Sequence, residues 1–148
     1  MRLSMKFTEK LSGPRVVVFS EVTDFENLQE KFPDLFVSIR VTKRSKTSAV
    51  TEEKFSVLGT VVSQRSRHTM RRPTTHTVEI LTGDLGGSRV VERYSDGPCG
   101  TTIVKVEADF LLGGLLSILP QFMVRPMIES GLRRVFRDLE ARLSGSRA

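Results

Sequence analysis

Five side chains in this sequence have the type and spacing for acid–base chemistry: His68, His76, Glu53, Glu92 and Tyr94. The histidines, the only two in the chain, flank one short turn in "HTMRRPTTH". With Arg71, Arg72 and Pro73 as a three-residue loop, Met70 pairs with Thr74, His68 with His76, Ser66 with Val78 and Gln64 with Ile80. The imidazoles are then cross-strand neighbours on one face, with Cβ atoms roughly 4.5–5.5 Å apart. A one-residue shift in the loop would separate them. Val62, Val78 and Ile80 mark that face as the core side, which places the histidines inward, where they could orient a polar group or hydroxyl. A zinc site needs a third ligand, and Cys99 or Glu92 would have to arrive from a distant strand, so no metal is expected. The competing reading is a solvated hairpin tip, because the stretch is otherwise polar and cationic.

Glu92 and Tyr94 share a face with Val90, and Glu53 shares one with Ala49, Phe55 and Val57. If those faces are internal, carboxylates and a phenol stand in an apolar chamber, where burial raises an acid's pKa and fits it to give or take a proton. Outward placement of Glu92 is equally easy to draw. Other chemistries have no motif: "GDLGGS", Gly83 to Ser88, is a glycine-rich turn without the strand-turn-helix context of a phosphate loop, and neither a nucleophile elbow nor a paired-cysteine zinc motif occurs. No cofactor is expected.

These residues must be held by strands. "MKFTEKL" alternates, with Met5, Phe7, Glu9 and Leu11 on one face, as a half-buried strand does. Gly13-Pro14 ends it, and "PRVVVFSEVTDFENLQEKFP" reads as two short helices, Asp24 capping the second. Six alternating segments then predict an antiparallel meander: Phe36 to Arg44, Ser48 to Leu58, Thr60 to Met70, Thr75 to Thr82, Arg89 to Tyr94 and Thr101 to Phe110, with a break at Gly59. Val37, Ile39 and Val41 share a face on the first, and Val104, Val106, Ala108 and Phe110 on the last. A sheet with one apolar side needs a cover, and Leu115 to Leu143 is the long helix available. Its second half is amphipathic through Ile128, Leu132, Val135, Phe136, Leu139 and Leu143. Its first half is apolar nearly all round and carries Pro120 and Pro126, so a bent or late-starting helix is expected.

At 148 residues the chain suits a single domain, 1–148, and 39% hydrophobic with 27% charged residues exclude extended disorder. One cysteine and no apolar signal core in "MRLSMKFTEKLSG" lead us to expect a cytoplasmic protein, and the apolar run from Phe110 to Val124 is too short to span a bilayer. The net charge of +6, with clusters at Arg65, Arg67, Arg71 and Arg72 and at Arg133, Arg134 and Arg137, admits an anionic partner such as RNA or acidic lipid, or simply a solvated basic surface.

Two stretches carry a family resemblance: "GPRVVVFSEVTDFENLQEKFPDLFVSIRV", Gly13 to Val41, and "DFLLGGLLSILPQFMVRPMIESGLRRVFRDLEARL", Asp109 to Leu143. With the element order, they resemble the START-like, helix-grip (SRPBCC) superfamily, nearest its polyketide cyclase-like and coenzyme Q-binding group. The resemblance implies an α+β helix-grip fold: a seven-stranded curved antiparallel sheet wrapped on a long C-terminal helix, with two short helices between strands 1 and 2. It further implies an internal cavity for an apolar guest. Candidate cavity residues are Val62, Gln64, His68, His76, Val78, Ile80, Val104, Val106, Leu119, Phe122, Met123 and Met127. Met123 and Met127 suit irregular guests because thioether side chains are flexible, and they equally suit filling core gaps. The expected function is binding or transport of a hydrophobic small molecule such as a lipid, isoprenoid quinone or polyketide. The alternatives are a cyclase or dehydrase using Tyr94, Glu92, Glu53 or a histidine, and a ribosome- or RNA-associated module. The apolar face around Leu111 to Leu116 admits transient membrane-surface contact or a second subunit.

Overall fold

The computed structural model describes residues 1–57 and 60–145. Seven strands form one antiparallel sheet in the order β1-β7-β6-β5-β4-β3-β2. They are β1 (Arg2–Leu11), β2 (Phe36–Arg44), β3 (Ser48–Val57), β4 (Thr60–Arg71), β5 (Thr75–Ile80), β6 (Arg89–Asp96) and β7 (Thr102–Leu111). Helix α1 (Arg15–Val22), a 3-10 turn (Phe25–Asn27) and α2 (Leu28–Lys31) lie between β1 and β2. The expected end of the third strand at Leu58 and the break at Gly59 lie outside the described residues.

Alternation decides which face is core. Along β1, Leu3, Met5, Phe7 and Leu11 are buried between exposed Arg2, Ser4, Lys6 and Thr8; β7 repeats the pattern with Val104, Val106, Ala108 and Phe110. Each fully buried aliphatic or aromatic side chain contributes on the order of 1.5–3 kcal/mol. On β2 the expected face is corrected. Val37 is exposed while Phe36 is buried and Ile39 packs on the core, because a register shift between Phe36 and Ser38 reverses the alternation there.

The cover helix starts late. After β7 a 3-10 turn (Gly114–Ser117) leads to Pro120, and α3 (Gln121–Gly145) begins behind it, with the Pro120 carbonyl accepting from the Met123 and Val124 amides. Pro126 lies inside α3. Val124, Phe136 and Leu139 are the helix's buried anchors. At its far end, Glu140 accepts hydrogen bonds from the Ser12 amide (2.7 Å) and the Ser12 hydroxyl, which ties α3 to the turn between β1 and α1. Arg133 reaches Glu9 at 2.9 Å and lies over the Phe7 ring at 4.5 Å. Among the described residues no helix is long and apolar enough to cross a membrane.

Candidate functional site

The β4–β5 hairpin closes differently from its expected form. The Arg71 carbonyl accepts from both the amide (2.8 Å) and the hydroxyl (3.0 Å) of Thr74, so the three-residue loop is Arg72 to Thr74 and Arg71 pairs with Thr75. Met70 therefore pairs with His76 and His68 with Val78. The offset is two positions on one strand, which preserves the face. The imidazoles become diagonal neighbours, stacked at 5.2 Å between centroids with 13° between planes, and His68 Nδ1 and His76 Nε2 are 2.9 Å apart. Both are buried, at 5% and 3% exposure, which overturns the solvated-tip reading.

Around the pair, the inward positions of four adjacent strands form one polar chain. Thr51 and Glu53 come from β3, Gln64, Ser66 and His68 from β4, His76 from β5, and Glu92 and Tyr94 from β6. Thr51 donates to Glu53 Oε1 at 2.6 Å and lies 2.8 Å from His68 Nε2. On the other side, His76 Nδ1 lies 2.6 Å from Glu92 Oε1, which also accepts from Tyr94 at 2.7 Å. Glu53 Oε2 accepts from Gln64 (2.8 Å) and Ser66 (3.2 Å). Phe25 caps the pair, its ring centroid 4.2 Å from that of His68 and 5.7 Å from that of His76. Phe19 meets Tyr94 edge to face at 5.1 Å.

The electrostatics follow from this packing and reverse part of the expectation. Burial pushes the Glu53 carboxyl up, yet the His68 imidazole 3.5 Å away and hydrogen bonds from Thr51 and Gln64 outweigh it, leaving the group below its ordinary value. Glu92 behaves alike: burial raises it, and the charge and hydrogen bond of His76, with Tyr94 and His68, bring it down. Burial, reinforced by His76, lowers His68 despite the Glu53 carboxylate 3.5 Å away. Tyr94 is held well above its ordinary value by burial and by the adjoining Glu92 carboxylate.

This polar strip forms part of the wall of a cavity of about 370 Å³ between the sheet and α3. Of the candidate residues, Val62, Gln64, His68, Val78, Ile80 and Met127 line it, as do Glu53 and Glu92; His76 stands behind His68 and Glu92. Val104 and Val106 are fully packed in β7 and do not line it, and Leu119 packs against the core outside it. Phe122 and Met123 are exposed, at 79% and 48%, because α3 starts only at Gln121 and its first turn faces outward. Helix α3 presents Met127, Ile128, Gly131, Leu132 and Val135 to the cavity, and Leu28, Phe36, Ile39 and Phe55 close the other side. A second groove, of about 560 Å³, is lined largely by polar and charged residues that include the Arg40–Glu52 ion pair. It offers no apolar wall for an oily guest.

Sequence reasoning missed Thr51, Ser66 and Phe25. Thr51 lies two positions before Glu53 on the same face, and that parity was the available signal for it. Among the described residues, no group of three or more His, Cys, Asp or Glu is placed to hold a metal ion. The arginines are dispersed. Arg65 stands opposite Glu52 and Arg67 opposite Glu79 in the sheet, Arg72 lies over Phe19, and Arg133 and Arg134 form ion pairs with Glu9, Glu129, Asp34 and Asp138.

No protein-family model matches the chain, and no curated protein matches it. Solved structures do. A protein from Thermus thermophilus superposes with a TM-score of 0.85 at 14% identity, covering 99% of this chain and 100% of its own. The Zhui aromatase/cyclase from a Streptomyces species gives 0.78 at 17% identity, over 99% of this chain and 94% of that one. A START superfamily protein from Mycobacterium smegmatis gives 0.80 at 14%, over 96% and 97%. The chain has the START-like, helix-grip fold, and at these identities the likeness concerns the fold alone.

Proposed function

We propose that the chain binds a hydrophobic small molecule between the sheet and α3, with the molecule's polar end against the strip of Glu53, Gln64, His68 and Glu92. The observation that carries this reading is the cavity itself: apolar walls on nearly every side and one short run of convergent polar groups, the usual make-up of a small-molecule site. Solved structures of the same fold, an aromatase/cyclase and a START superfamily protein among them, agree with it in kind. The ligand is of lipid, isoprenoid quinone or polyketide size and character, carried in the cytoplasm, where the exposed free Cys99 stays reduced. The exposed apolar side chains Leu115, Ile118, Phe122 and Met123 lie close in sequence to Leu116, which lines the cavity, and give the side from which an oily molecule, or a lipid surface delivering one, approaches.

Gly131 provides the test. It lines the cavity from α3, and a Cβ built there meets nothing within 4 Å. Gly131→Phe should fill the cavity while improving helix propensity by up to about 1 kcal/mol. Extraction of the purified protein followed by mass spectrometry should find an apolar compound in the wild type and none in the variant, and an apolar fluorescent dye should bind only the former. Equal dye binding by both proteins would remove the cavity as the binding site.

A second reading, cyclase- or dehydrase-type acid–base chemistry, is favoured by one observation: Glu53, His68 and Glu92 line the cavity and are joined through Thr51 and His76, with Tyr94 donating to Glu92 from behind the wall. It calls for Glu92-dependent deuterium uptake from heavy water into the acidic C–H of a bound β-dicarbonyl compound. Uptake unchanged in Glu92→Gln would dismiss it.

A further inference from the structure

Four hydrogen bonds run in line from one buried carboxylate to the other: Glu53 Oε1 to Thr51 Oγ1, Thr51 Oγ1 to His68 Nε2, His68 Nδ1 to His76 Nε2, and His76 Nδ1 to Glu92 Oε1, at 2.6, 2.8, 2.9 and 2.6 Å. Each link is made by one proton, and the line ends on a single oxygen of each carboxylate, Glu53 Oε1 and Glu92 Oε1.

The two ends of the line differ in what they leave open. Every acceptor oxygen of Glu53 is engaged, Oε1 by Thr51 and Oε2 by Gln64 and Ser66. Both hydrogen bonds to Glu92 end on Oε1, and no described residue donates to Oε2. Glu92 is only 8% exposed, and it lines the cavity. A carboxylate oxygen facing an apolar cavity without a donor is costly unless something arrives to donate to it.

We infer that Glu92 Oε2 is the docking atom for a neutral hydroxyl or N–H donor at the polar end of the cavity's ligand. This rests on the cavity reading above and names the chemistry of its polar end. A hydroxyl brings its own proton to the one open acceptor. A ketone presents an acceptor to an acceptor. A carboxylate sets like charge against Glu92, and an ammonium brings three donors to one open oxygen. The charged and titratable neighbours are few: Glu53 on β3, His68 on β4, His76 on β5, Glu92 and Tyr94 on β6, and the Arg44 guanidinium of β2 on Phe25, 5.4 Å from its ring. The residues that α3 turns to the cavity carry no charge.

A ranking of ligands tests the inference separately from the cavity. Displacement of an apolar fluorescent dye by decanol, a decanone, decanoate and decylammonium should rank decanol first, about tenfold or more ahead of the ketone, as for a hydrogen bond to a charged group. Glu92→Gln, which places an amide donor at the same point, should bring the ketone level with or ahead of the alcohol. Dye binding with no preference among the four, or with the carboxylate or ammonium first, overturns the docking assignment and leaves the cavity standing. Failure of dye and probes alike overturns both. Should Glu92→Gln not fold, the wild-type ranking decides.

Discussion

Glu53 and Glu92 are the same residue type, buried to nearly the same degree on one face of one sheet and tied to the same pair of histidines, yet they end the chain of hydrogen bonds in opposite ways. Around Glu53, Thr51, Gln64 and Ser66 occupy both oxygens, and His68 stands 3.5 Å off. Around Glu92, His76 and Tyr94 crowd onto one oxygen and leave the other to the cavity. A saturated buried carboxylate is an anchor, since any change there orphans several partners. A half-satisfied one is an adapter, and its free oxygen has a use only when a ligand is present. Burial and charge alone do not separate the two roles; the tally of donors does.

The largest expected consequence is in stability. Glu53→Ala should cost about 3–5 kcal/mol in chemical denaturation, as for breaking a buried ion pair. Glu92→Gln, which keeps an acceptor for His76 and Tyr94, should cost about 1–2 kcal/mol. Equal losses would erase the distinction between anchor and adapter.

Next comes the response to pH. His68, Glu53 and Glu92 all sit below their ordinary values of 6.5, 4.5 and 4.5 in the folded state, so the folded protein holds fewer protons there than the unfolded chain. Their contribution is complete above those ordinary values. It should fall in two stages on acidification, first below 6.5 through His68 and then below 4.5 through the carboxylates. Tyr94 has the opposite sign: raised above 10.0, it contributes fully below that pH and loses its contribution as pH climbs through the folded value. Denaturation midpoints that stay flat from neutral pH down to the carboxylate range would contradict the first stage.

Thr51→Val keeps the shape of the side chain and removes the one hydroxyl between His68 and Glu53. A loss of about 1–3 kcal/mol is expected. Histidine NMR should show the change at His68 more than at His76. Smallest is Tyr94→Phe, which takes one donor from Glu92 Oε1 and leaves His76 in place, for about 0.5–1.5 kcal/mol by thermal denaturation, with the alkaline loss gone. A larger effect there than at Thr51 would mean that the Glu92 end is the more tightly built.

Much of this was legible in the residues. Strict alternation in β1 and β7 fixes their buried faces, and counting by twos shows that Glu92 shares a face with Tyr94 and Glu53 with Ala49, while burial of those faces and of the histidines is what the fold adds. Counting fails where the backbone slips: the shift at Phe36 and Ser38 turns Val37 outward, and no side chain there announces it. The hairpin loop moved one residue because Thr74 bonds the Arg71 carbonyl twice, a choice that only the folded turn makes. Phe122 and Met123 look like cavity residues in a helix apolar all round, but the helix begins behind Pro120 and turns them to the surface.

By itself the sequence determined the element order, the faces that β1 and β7 bury and the need for the C-terminal helix as a cover, because these depend on periodicity, which is local along the chain. Only the tertiary structure decided that two histidines, two glutamates, a threonine and a tyrosine form one line, and which carboxylate is left a free oxygen. Those facts depend on registers among four strands, and hydrogen bonds are made or missed over a few tenths of an ångström that no spacing in the sequence encodes.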